Sequence, residues 1–155
     1  MYKSKKAFTL IELLVVIAII GLLSTLSVIA LNSARAKARD AKRISDVKQM
    51  QVALEMYYND MAAYPTAATG GEPIASDNAT FLRAVPVPPE PIDGAVCQDS
   101  DGNYDKDTYK YVVTTADGAV PSYSIGFCLG SDIGSGTTKV PGDTILYMTP
   151  AGINE

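Results

Sequence analysis

The sequence predicts an α+β protein: one long N-terminal helix, half membrane-inserted and half amphipathic, packed on a small antiparallel β-sheet. Three observations predict it. No proline occurs before Pro65, and Gly21 is the only glycine before Gly70, so nothing interrupts a helix over that length. The 22 residues Leu13–Ala34 carry no charge and would rise about 33 Å as a helix, enough to cross a hydrocarbon core. Beyond Tyr109 the apolar residues alternate in strand-length runs bounded by turn residues.

The elements divide the chain into four stretches: a basic leader at 1–7, a transmembrane helix half at 8–34, an amphipathic helix half at 35–61, and a globular body at 62–155. The helix is expected over Thr9–Asp60, about 78 Å long at 1.5 Å per residue. In its second half Ile44, Val47, Leu54, Tyr58 and Met61 form one stripe at helical spacing. Asp40, Lys42, Arg43, Asp46 and Lys48 are expected largely off that stripe, and Arg35–Arg43 to be a solvated face beside a membrane. Tyr64-Pro65 signals the end of the helix. Residues 65–80 read as a loop and Thr80–Val85 as a short helical turn. Pro86, Pro88, Pro89 and Pro91 make an extended connector that cannot join a central strand. Strands are expected at Tyr109–Thr115, Ser122–Leu129 and Thr144–Thr149, the first two joined as a hairpin over Ala116-Asp117-Gly118-Ala119. On one face lie Tyr109, Tyr111 and Val113, and on the next strand Tyr123, Ile125, Phe127 and Leu129. Those faces can cover the stripe.

Charge is distributed unevenly. Residues 1–48 hold nine of the thirteen basic residues and three acids, a balance of +6; the remainder has a balance of −10. A basic front beside an apolar run points to an anionic membrane surface. An acidic body argues against nucleic-acid binding, which requires Lys and Arg at phosphates. With no histidine in the chain, the commonest general base and transition-metal ligand is missing. No nucleophile–base set replaces it, so an enzyme is not expected.

Glu12 stands at the edge of the apolar run. A carboxylate there is costly unless paired, protonated or near the interface; comparable charges cost about 2.5–3.5 kcal/mol mid-membrane. Two readings are open. The charge reaches the headgroups at a helix start, where the macrodipole favours it, or it is kept for a cation supplied by another subunit.

Lys5-Lys6-Ala7-Phe8-Thr9-Leu10-Ile11-Glu12 resembles the processing site of type IV prepilins and type II secretion pseudopilins. The resemblance covers about residues 3–60 well and the rest in outline. It implies cleavage between Ala7 and Phe8 by a membrane prepilin peptidase, N-methylation of Phe8, and Glu12 as the carboxylate that pairs with a neighbouring subunit's N-terminal amine. The residue before the cut is usually Gly in that family, and here it is Ala7. The resemblance also implies a homo-oligomeric helical filament, an inner-membrane platform and an assembly ATPase. The body would lie outside the cytoplasm, first anchored at the inner membrane, then in a periplasmic or extracellular filament. Charge counting alone favours the opposite topology, because Arg35, Lys37, Arg39, Lys42 and Arg43 outnumber the leader's lysines.

Cys97 and Cys128 are the only cysteines. If the body is extracytoplasmic they form a disulfide closing a loop of about 32 residues, typically worth about 2–4 kcal/mol; the alternative is two reduced thiols. Asp99, Asp101, Asn103, Asp105 and Asp107 place oxygen ligands at alternate positions around Gly102, a candidate calcium site. It is not an EF-hand, whose closing Glu is replaced by Lys110. The competing reading is a polar turn. Major pseudopilins resemble this chain in carrying Tyr-Pro after the helix and calcium in the C-terminal loops. No cofactor is required by this reading. Three functions remain: a structural subunit of a pilus or secretion pseudopilus, a minor, initiating or competence-type subunit, and a membrane-anchored calcium-binding module.

Overall fold

A computed structural model of the chain describes residues 8–90, 108–114, 121–129 and 145–154. The chain forms two compact units, Met1–Arg35 and Ala36–Glu155. A single helix, α1, runs Leu10–Met61. It stops where its backbone turns left-handed: Ala62 has φ of 54°, its N–H donates to the Tyr58 carbonyl at 2.8 Å, and Pro65 follows. That geometry normally favours glycine, because a Cβ crowds the following carbonyl. Ala62→Gly is therefore expected to stabilise the body by about 0.5–1 kcal/mol, read as a shift in denaturation midpoint.

Two short strands follow, β1 (Ile74–Ala75) and β2 (Thr80–Leu82), paired antiparallel. This corrects the expected loop over 65–80 and the helical turn over Thr80–Val85. The turn between them is closed by Ser76, whose N–H donates to the Ala79 carbonyl and whose Oγ accepts from the Ala79 N–H. Ile74 is buried, and Phe81 sets its ring edge-on to Tyr57 at 5.7 Å. Side chains that reach the helix hold these residues extended; their Ala-, Thr- and Gly-rich surroundings do not show this. The Pro-rich connector contributes no strand over 86–90.

The main sheet has β3 (Lys110–Thr114), β4 (Ser122–Cys128), β5 (Ile145–Thr149) and β6 (Gly152–Asn154), in that order and antiparallel throughout. The first three match the expected strands; β6 was not foreseen, since its three residues form no recognisable period. Alternation puts Tyr123, Ile125 and Phe127 on one face, in register with Val113 and Tyr111 on one side and Met148 and Leu146 on the other. That face joins Val47, Met50, Ala53 and Leu54 of α1 in one core. Each fully buried large side chain there is worth about 1.5–3 kcal/mol.

The buried stripe differs from the expected one. Val47 and Leu54 are in it and Ile44 and Tyr58 flank it, but Met61 is 46% exposed, while Met50 and Ala53 are buried. Asp40, Arg43 and Asp46, expected largely off the stripe, are also buried. The reason is periodicity. Positions 40, 43, 47, 50 and 54 lie three and four apart, so the charged residues begin the same stripe that Leu54 ends.

Candidate functional site

The apolar run forms the first half of α1. From Leu10 to Leu31 every large apolar side chain is exposed, and by length and composition the helix can cross a membrane. Phe8 precedes it, 78% exposed. The helix begins in a capping box. Thr9 Oγ1 accepts from the Glu12 N–H at 3.3 Å, and Glu12 Oε2 accepts from the Thr9 N–H at 2.9 Å and the Thr9 hydroxyl at 2.7 Å. Two otherwise orphaned N–H groups at the helix start are thereby satisfied. The sequence carries the signal, Thr-x-x-Glu before an apolar run, which neither expected reading of Glu12 includes. Among the described residues only Oε2 is engaged, so the box leaves Oε1 to accept from elsewhere.

A second polar constellation lies in the other unit. Arg43, 2% exposed, sends Nη1 to Asp40 Oδ1 at 2.6 Å and Nη2 to the Pro89 carbonyl at 2.8 Å. Asp46, fully buried, pairs with Lys42 and accepts from the Tyr109 hydroxyl at 3.1 Å. Buried charges persist only when paired and hydrogen-bonded, and no buried side-chain polar atom among the described residues lacks a partner. One helical turn thus holds the chain at Pro89 and again at Tyr109.

A third group surrounds Glu55, which accepts from Tyr64 and Tyr123 hydroxyls, each at 3.2 Å. Tyr64 stacks on Tyr58 and meets Tyr123 edge-on, both at 4.7 Å, and Tyr111 donates to the Pro65 carbonyl at 2.8 Å. The Tyr-Pro pair therefore seats the chain leaving α1 on the sheet. Burial, reinforced by the Glu55 carboxylate, pushes the Tyr64 hydroxyl up to about 12. Burial likewise raises Tyr111, and burial with Glu55 raises Tyr123. A raised phenol contributes stability that is complete below its ordinary pKa of 10.0 and disappears as pH rises through its folded value. Alkaline titration should show these phenols ionising together with unfolding, above pH 10 and below about 12 for Tyr64; a phenolate signal from them in a folded protein at pH 10 would contradict it.

The structure places Phe8 just before the helix and Glu12 in its first turn; Cys128 is buried beside Ile145 at the end of β4. Ala7, Cys97, Asp99, Asp101, Asn103, Asp105 and Asp107 lie outside the described residues, as does the expected hairpin turn.

Residues 2–28 match the prokaryotic N-terminal methylation motif. Proteins named Type II secretion system core protein G are similar over a longer stretch. The one from Klebsiella michiganensis is 36% identical over 61% of this chain and 64% of its own length. The one from Pseudomonas aeruginosa is 28% identical over 80% of this chain and 84% of its own. The chain carries that methylation motif and resembles type II secretion pseudopilins. The Escherichia coli relative is 43% identical over 44% of this chain and 47% of its own length. The chain therefore spans about half to two thirds of the length of the first relatives it matches. No solved structure matches it.

Proposed function

We propose that this chain is a structural subunit of a type II secretion pseudopilus, polymerising through its N-terminal helix. One observation carries the reading: a wholly exposed helix half, uncharged from Leu13 to Ala34, begins in a methylation motif whose single acid, Glu12, caps the helix with one oxygen and keeps the other available. In lipid an incompletely paired carboxylate is costly, so an ammonium from a neighbouring subunit relieves the cost and fixes the axial register. The relatives' names favour secretion over a pilus, and a core component over a minor one. A prepilin peptidase cutting at Ala7–Phe8, methylation of Phe8, an inner-membrane platform and an assembly ATPase belong to the same proposal. So does a body outside the cytoplasm, with Cys97 and Cys128 oxidised to a disulfide. The test is expression beside a prepilin peptidase, followed by mass measurement of the N-terminus and isolation of sheared filaments. A chain starting at methylated Phe8 and sedimenting as filaments is expected; a chain retaining its leader, or processed but never polymeric, would overturn the proposal.

Calcium binding by Asp99, Asp101, Asn103, Asp105 and Asp107 is a further part of the proposal, supported by the alternation of oxygen ligands in the sequence. A saturating chelator should lower the melting temperature of the chain by several degrees, and re-added calcium should restore it. An unchanged melting temperature would remove calcium from the proposal.

A further inference from the structure

Between α1 and β2 lies an open groove of about 620 Å³, lined by Ile44, Lys48, Val52, Met56, Phe81 and Leu82 among others. Val52 and Met56 are 55% and 51% exposed. Two large apolar side chains one turn apart, with a half-buried aromatic beside them, form a patch that water covers poorly. Exposed charge around it is segregated. Lys37, Lys42 and Lys48 are on the helix segment that leads into the groove, and among the described residues Lys48 has no ion-pair partner. Asp60, Glu72 and Asp77 are exposed where the chain leaves the helix, with Arg83 the opposing basic residue. There Met61, 46% exposed, adjoins Asp60, whose Oδ2 accepts from Ser76.

We propose that the groove receives the C-terminal end of α1 from a second copy of this chain, with Met61 entering between Val52 and Met56 and Asp60 meeting Lys48. The occupant follows from charge: a basic groove rim and an acidic helix end on the same molecule complement each other only between copies. Because the two surfaces differ, the contact is head-to-tail and repeats, giving an open assembly instead of a closed dimer. Met is suited to the donor position, since its flexible thioether fits an irregular groove. The rim charges set register and partner choice more than affinity. The inference rests on the filament reading above and names one of its lateral contacts.

The experiment uses the full chain expressed with its assembly machinery. Two variants, Val52→Cys and Met61→Cys, are expressed singly and together, and sheared filaments are oxidised. A cross-linked dimer is expected only from the mixture, at a level well above that of the unsubstituted chain, whose own cysteines set the background. Lys48→Glu should lower the yield about fivefold, the scale of a rim ion pair, and Asp60→Lys in the partner should restore it. Unsubstituted chains that form no filaments would overturn the filament reading and this contact with it. Filaments that form normally but give no mixed cross-link would overturn this contact alone. A dimer from Val52→Cys by itself would show a face-to-face contact and overturn it as well.

Discussion

Replacing Arg43 with Ala is expected to destabilise the body by about 3–5 kcal/mol, roughly a fifth or more of the total stability of a typical domain. The guanidinium is 2% exposed and bonds both Asp40 and the Pro89 carbonyl. Removing it strips a fully buried carboxylate of the cation it faces and detaches the connector from the helix. Desolvation then acts on a buried charge that has lost a cationic partner. Arg43→Lys should recover only part of the loss, because an ammonium lacks the planar fork that spans two acceptors. Arg43→Met combined with Asp40→Leu should be far milder than Arg43→Ala, since apolar groups of similar size replace both charges. Denaturant unfolding followed by near-ultraviolet tyrosine signal reads all three. A loss below about 1 kcal/mol for Arg43→Ala would place the pair among ordinary surface ion pairs.

The second large effect is on assembly. Glu12→Ala should insert in the membrane normally, or slightly better, and yet yield filaments reduced by at least tenfold. Two terms are lost together. The capping box disappears, at about 0.5–2 kcal/mol for the first turn, and the carboxylate that would draw a neighbour's amine goes with it. Glu12→Gln separates them. Its amide keeps a capping acceptor but carries no charge, so the first turn should persist while filament yield stays low. Thr9→Val makes the opposite cut, leaving the charge and removing the hydroxyl. If Glu12→Gln polymerises like the parent chain, capping rather than charge pairing is the work of this residue. Filament yield after shearing, normalised to membrane-inserted chain, decides the comparison.

Much of the fold could be read from the residues because the strongest signals are long-range patterns. The helix needed only an absence of breakers over fifty residues, and β3, β4 and β5 needed alternation with turn residues between them. Strands of two or three residues, such as β1, β2 and β6, contain no period; packing of Ile74 and Phe81 against the helix decides β1 and β2, and pairing with β5 decides β6. The charged turn failed for another reason. Asp40, Arg43 and Asp46 look solvated by composition, and what buries them is Pro89 and Tyr109, 46 and 63 residues away from their partners. Sequence spacing at 40, 43, 47, 50 and 54 showed which face they share, although residue type argued against burial. At the N-terminus the motif is legible as a whole, and Thr-x-x-Glu also encodes the cap between Thr9 and Glu12, a local bond that a charge at the edge of an apolar run masks.

The distances along the chain between partners also set an order in time. Glu55 is bonded by Tyr123, 68 residues later, and Gln51 donates to the Thr149 carbonyl, 98 residues later. At roughly 5–20 residues per second of synthesis, Leu54 and Met50 emerge about 5–20 s before the strand that completes their cover. The apolar stripe must pass that interval bare, and closure of such long loops makes the body a slow folder. Any machinery that handles the young chain meets a finished helix attached to an unfinished sheet.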